Sequence, residues 1–212
     1  MCRSNQLANE RNERMRIRNE LICWCEPMVL CCAALFLFLS ATGCQSGDAA
    51  LGEVGHASAV KDDMMASEFN HLFRDGDVYF AGLPTEVGLR TAKERGVGLV
   101  INVISEPESK MRIPFDERKL VEQLGMEYVF IPVTPGSFSS GDVDKFAAAL
   151  STMDDDEKIL IHCASSNRAG GIWAAYLARK LGMSEEEALT RGREAGLNRE
   201  SMVGAVMRVI EE

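Results

Sequence analysis

Three short apolar runs, Gly98 to Val103, Tyr128 to Val133 and Ile159 to His162, each follow a segment whose apolar residues recur at helical spacing. The first segment starts at Leu83-Pro84-Thr85 and stops near Arg95, before Gly96; the second runs from about Pro114 to Leu124, before Gly125. The third enters through Ser139-Ser140 and reaches about Met153. Consecutive helix-to-strand crossovers force the strands parallel, since a parallel neighbour is reached only by a long connection. Parallel strands are covered on both faces, and runs such as LVINV and ILI are apolar on both sides, as that requires. Ahead of them, Phe69 to Phe73 and Val78 to Ala81 flank the turn dipeptide Asp75-Gly76, a hairpin signal. The pattern predicts an α/β domain with a mostly parallel sheet of four to five strands, helices on both faces, an N-terminal hairpin and a helical C-terminus.

That C-terminus begins with a helix from about Arg168 to Leu181, on which Ile172, Trp173, Tyr176, Leu177 and Leu181 share a face. Trp173 reads as a core residue. Ser184 with Glu187 caps a following helix closed by Gly196, and Asn198 starts a last one carrying Met202, Val206, Val209 and Ile210.

The cysteines mark where this domain begins. Of seven, Cys2, Cys23, Cys25, Cys31, Cys32 and Cys44 precede residue 45, and Cys163 stands alone in the rest. A disulfide framework or a Cys-rich zinc site in the folded part is thereby excluded. Residues 1 to 43 hold five Arg and four Glu against a whole-chain net charge of −9, so the remainder carries −10. A surface so acidic argues against nucleic acid as a partner. Any anion must be held by a local site.

The first 44 residues read as an address. Arg14, Arg16 and Arg18 precede twelve apolar residues, Met28 to Leu39, and then Ser40-Ala41-Thr42-Gly43-Cys44. A basic region, a short apolar core and small residues before a cut form a secretory signal. Its end resembles the lipobox of bacterial lipoproteins, which implies lipidation of Cys44, a membrane anchor through that lipid, and a domain facing the periplasm or cell exterior. The rival is an uncleaved anchor, against which stands the shortness of the apolar run, since about 20 residues are needed to span a bilayer. Residues 45 to 67 lack periodicity and read as a tether, leaving 68 to 212 as the catalytic domain.

The chemistry concentrates in KILIHCASSNRAGGIWAAYLARKLG, Lys158 to Gly182. Here Cys163 sits on a short loop between a buried strand and a helix N-terminus. Unpaired amides at a helix start and a nearby guanidinium lower a thiol's pKa by several units from about 8.5, which makes the nucleophilic thiolate. The same amides cradle an anion, and Arg168 adds a planar fork matched to phosphate or sulfate oxygens. The bland reading is a buried cysteine packing as a small hydrophobe, with Arg168 solvated at the helix start.

Strand, His-Cys, short loop, Arg, helix is the signature that this stretch shares with the cysteine-dependent protein tyrosine and dual-specificity phosphatases. VYFAGLPTEVGLRTAKERGVGLVINV, EYVFIPV and LIHCASSNRAGGIWAAY resemble the bacterial phosphatase-like domain of beta-lactamase-hydrolase-like proteins and of NAD kinase fusions. The resemblance spans about residues 69 to 197. It implies that Cys163 is the nucleophile, that Arg168 binds the anion, and that His162 orients the loop and tunes the thiolate. Ala164, Ser165, Ser166 and Asn167, with Ala169 after the arginine, would form the anion loop.

Three departures keep the activity open. Only four residues separate Cys163 from Arg168, where the phosphatase signature has five; that spacing resembles rhodanese sulfurtransferases. Ala169 replaces the Ser or Thr that helps the thiolate leave, a role for which Ser165 or Ser166 could substitute. The loop Thr134 to Phe138 lacks the Asp that serves the family as general acid. Substitute acids are Asp142 or Asp144 at the start of the third helix, and Glu106 or Glu108 on the loop after the strand ending near Val103. His56 and His71 read as incidental. Three functions follow: a hydrolase acting on a phosphorylated substrate through a phosphocysteine, a sulfurtransferase passing sulfane sulfur from a donor to an acceptor through a Cys163 persulfide, and a non-catalytic anion- or partner-binding lipoprotein. None implies a metal or an organic cofactor.

Overall fold

The computed structural model describes residues 68 to 154 and 156 to 212. The signal segment, Cys44 and the tether lie outside the described residues. Among those described, no helix is long and apolar enough to cross a membrane.

Five strands form one sheet in the order β1-β2-β5-β3-β4. Strands β1 (Phe73–Asp75) and β2 (Val78–Ala81) make the antiparallel hairpin, pairing Asp75 with Val78 across Gly76, whose φ of +58° suits a residue without a Cβ. The first strand is shorter than the sequence suggests, because Phe69 to Leu72 approach the domain as irregular chain. Strands β3 (Val97–Asn102), β4 (Glu127–Phe130) and β5 (Lys158–His162) are parallel to one another and to β2. The residues closing these strands meet at one sheet edge: Asn102 is in register with both His162 and Phe130. In open α/β sheets that carboxyl edge is where ligands bind.

Alternate residues of each strand serve opposite cores. Phe80, Leu99, Ile101 and Ile161 face α4 (Ser140–Leu150), α5 (Asn167–Leu181), α6 (Glu185–Glu194) and α7 (Glu200–Glu211). Tyr79, Val100 and Leu160 face α1 (Glu86–Glu94) and α3 (Glu117–Gln123). Thr85 caps α1 by accepting from the Gly88 amide, and Asp116 caps α3 from Lys119. Trp173 is core, packed among Phe80, Phe146 and Tyr176, with its indole N–H donated to Asp75.

One helix departs from the sequence reading. Glu106 and Glu108 lie on α2 (Glu106–Arg112), not on a loop. It has no buried residue and Met111 is exposed, so there is no apolar periodicity to betray it. What holds it is Pro107 in the first turn and two ion pairs one turn apart, Glu106–Lys110 at 2.7 Å and Glu108–Arg112 at 3.0 Å.

Gly170 and Gly171 lie in the first turns of α5, within the helix expected from about Arg168. A Cβ on Gly170 would sit 2.5 Å from the Gly192 carbonyl oxygen and 2.7 Å from the Leu197 nitrogen, so glycine sets the distance between α5 and α6. Gly170→Ala is expected to destabilise the fold by about 1–3 kcal/mol, read as a lower urea midpoint at unchanged slope.

Candidate active site

Residues 163 to 166 form the loop between β5 and α5. Its geometry is set from below: the Cys163 amide donates to Ala81 O at 3.1 Å, and Gly82 bridges Ser165. Gly82 in turn donates to Asn70 O at 2.6 Å, where a Cβ would lie 2.2 Å from that oxygen. The loop is therefore stitched to the end of β2 at a place only glycine fits.

Cys163 is 1% exposed and is the free cysteine among the described residues. The Ser165 amide points at its sulfur from 3.5 Å. Ser166 takes a left-handed backbone, φ 64°, and turns its hydroxyl away to the Ala195 carbonyl at 2.8 Å. Of the two serines, only Ser165 borders the cavity described below, so Ser166 is no aid to the thiolate. The Ala169 side chain is wholly buried in the core and does not border the cavity. Asn167 Oδ1 accepts the amides of Asn198 and Arg199, both at 2.9 Å, and so fastens the loop to the start of α7.

Over the loop lies a cavity of about 550 Å³, bordered by Ala164, Ser165, Asn167 and Arg168 below and by Ser105, Glu108, Arg112, Thr134 and Arg199 around it. Arg168 is pinned by Glu108, Nη2 to Oε2 at 2.7 Å, with Arg112 on the other carboxylate oxygen at 3.0 Å. A guanidinium has five N–H donors, so this contact leaves Arg168 others for an oxyanion. Burial pushes the Glu108 carboxyl up, but the hydrogen bonds and charges of Arg168 and Arg112 outweigh it and hold the group below the usual carboxylate range. Glu108 is thus an anion that orients arginines.

The other acids fall elsewhere. Glu106 is fully exposed; its hydrogen bond and charge contact with Lys110 hold its carboxyl low, and it does not border the cavity. Asp142 closes the capping box of α4 with Ser139, and Asp144 pairs with Lys180. His71, dismissed on sequence, does border the cavity, with a left-handed φ of 58°.

Behind the loop is a network that the motif does not announce. His162 is wholly buried, and its Nε2 lies 2.6 Å from Oε1 of Glu117, itself 5% exposed. Glu117 Oε2 accepts from Asn102 Nδ2 at 2.7 Å and from the Tyr128 hydroxyl at 3.0 Å, while Asn102 Oδ1 accepts the Ile104 amide. Burial pushes Glu117 up; the charge and contact of His162 and the donors Asn102 and Tyr128 outweigh it, so the carboxyl stays below its ordinary range. Tyr128 is pushed up by burial and by the Glu117 charge, and remains a neutral donor. His162 Nδ1 has no hydrogen-bond partner among the described residues. The signal for Glu117 was an acidic residue at the start of α3, a position that charge on a helix dipole already explains. Among the described residues, no group of three or more His, Cys, Asp or Glu is placed to hold a metal ion.

No family model matches the chain, and no curated protein sequence matches it. Solved structures do. A proposed phosphatase of the DUF442 group from Shewanella putrefaciens CN-32 is 26% identical, with a TM-score of 0.55, over 71% of this chain and 95% of its own. Tk-PTP in its active form is 22% identical, with a TM-score of 0.54, over 65% of this chain and 94% of its own. A proposed phosphatase from Neisseria meningitidis Z2491 is 21% identical at a TM-score of 0.54, over 65% of this chain and 96% of its own. The fold is that of the cysteine-dependent, protein tyrosine phosphatase-like proteins. Within that class the likeness to a DUF442 structure supports a hydrolase of phosphatase type.

Proposed function

We propose that the protein hydrolyses a phosphorylated substrate through Cys163. The Cys163 thiolate attacks phosphorus, the substrate oxygen departs with its electron pair, and water then cleaves the phosphocysteine to restore the thiolate. Arg168 and the amides at the start of α5 neutralise the charge on the phosphoryl oxygens, the larger part of the catalysis such a site provides. The observation that carries this is the Cys163 loop itself. It closes β5 at the sheet's carboxyl edge, with the Ser165 amide aimed at the sulfur, and it underlies a cavity bordered by Arg168. His162 and Glu117, behind the nucleophile, position the loop.

The four-residue spacing from Cys163 to Arg168 supports a second reading, sulfur transfer through a persulfide. Incubating the full-length chain with an aryl phosphate, and separately with thiosulfate and cyanide, separates the two. Phosphate release without thiocyanate is expected; thiocyanate alone would make the protein a sulfurtransferase on a phosphatase-like scaffold. The sequence pattern around Cys44 supports export as a lipoprotein, so the substrate is sought outside the cytoplasm.

A further inference from the structure

We infer that the substrate is a phosphoric anhydride, a molecule of pyrophosphate type whose leaving group is itself a phosphate. This rests on the hydrolase reading above and adds the substrate class. Two independent features of the cavity carry it.

The first is charge. Three guanidiniums, Arg112, Arg168 and Arg199, border one cavity with a single carboxylate among its described residues, Glu108, although the chain as a whole carries −9. Arg168 belongs to the Cys163 loop, whereas Arg199 is brought in by α7, held there by its backbone amide on Asn167. Arg199 is exposed, and with Arg112 it gives the cavity positive charge beyond the arginine of the loop. Arg–phosphate pairs are the strong, geometry-matched form of such contacts. The described cavity border holds no Phe, Tyr or Trp, and its one ring is the imidazole of His71.

The second is the leaving group. An alkoxide needs a proton as it departs, and losing the donor costs about 10²- to 10⁴-fold in rate. The one cavity carboxylate is held ionised between two arginines and has no proton to give, which leaves His71 as the border's other titratable group besides the arginines. A phosphate leaves as a stable anion and needs no donor, only positive charge around it, which Arg112 and Arg199 supply. In the first step the Sγ–P bond forms and the bridging P–O bond breaks, its electron pair passing to the departing phosphate. In the second, a water oxygen bonds to phosphorus, Sγ–P breaks back to thiolate, and the water protons pass to the phosphate product and solvent. The sum is pyrophosphate plus water giving two phosphates, with no other reactant.

Calorimetric titration of the full-length Cys163→Ser chain with inorganic pyrophosphate and with inorganic phosphate, free of metal, tests the subsite without turnover. Pyrophosphate is expected to bind at least about tenfold tighter, the preference weakening with salt, falling to near unity in a second variant that adds Arg199→Ala, and kept only in part with Arg199→Lys. Equal affinities, or a preference that survives Arg199→Ala, would overturn it. In the unmodified chain, kcat/KM for pyrophosphate is expected to exceed that for glycerol phosphate by about 10²-fold or more. If an aryl phosphate is hydrolysed but pyrophosphate has no such advantage, this inference fails and the hydrolase reading stands. If pyrophosphate binds with the Arg199-dependent preference and nothing is hydrolysed, the hydrolase reading fails and the anhydride subsite stands.

Discussion

Cys163→Ser is expected to lower aryl phosphate hydrolysis by about 10³-fold or more while the affinity for sulfate is largely kept. The two halves of that expectation have separate causes. A serine hydroxyl is a far weaker nucleophile than a thiolate, and Glu108, the one carboxylate bordering the described cavity, is taken up by Arg168 and Arg112. In the proposed site the anion is held by backbone amides and by Arg168. The loop is held by the Cys163 amide on Ala81 O and by the Gly82–Ser165 bridge, neither of which uses the sulfur. Steady-state rates with an aryl phosphate and calorimetric anion titration read the two halves independently. A serine variant that turned over at the unmodified rate would remove Cys163 from the chemistry altogether.

Glu117→Ala is expected to cost about 3–5 kcal/mol of folding stability at neutral pH, because it leaves several buried donors without their acceptor. The substitution strands the Asn102 side-chain amide and the Tyr128 hydroxyl, which both donate to this carboxylate, and removes the oxygen that lies 2.6 Å from His162 Nε2. The loss depends on pH. Because Glu117 is held below its ordinary range when folded, its contribution is fully present above the usual glutamate pKa of about 4.3 and disappears as pH falls through the lowered value. Urea unfolding at pH 7 and at pH 3 should therefore show a wide gap between the two chains closing under acid. A gap that stays constant with pH would mean that Glu117 is held by packing and not by its charge. The same variant should loosen His162, the residue next to the nucleophile, and lower kcat more than it raises KM.

Much of this was legible in the sequence because it depends on local signals. Parallel strands are apolar on both faces, and the helices between them begin at Thr85 and Ser139 and end before Gly96 and Gly125. Each boundary is a cap or a positive-φ glycine with its own residue preference. The Cys163 loop was legible for the same reason, being one uninterrupted stretch of chain. What escaped depends on juxtaposition. Glu117 acts only because α3 packs its first turn against the end of β5, and Arg199 only because Asn167 reaches the start of α7. His71 borders the cavity through a left-handed backbone whose neighbours are fixed by Gly82, a contact between segments that neither one forecasts. Helix α2 failed for the opposite cause: it is held by charge pairs and buries nothing, so the periodicity that finds other helices is absent.

The proposed reaction carries the phosphoryl group on one sulfur. The most direct measurement is to quench the full-length chain with acid during turnover of an aryl phosphate, digest it at low pH and locate the label by mass spectrometry. Phosphate is expected on the peptide containing Cys163, absent from the Cys163→Ser chain and lost on standing in the unmodified protein. Turnover with no phosphate on Cys163, or a persulfide there after exposure to thiosulfate with no phosphate release from any ester, would contradict the proposed reaction.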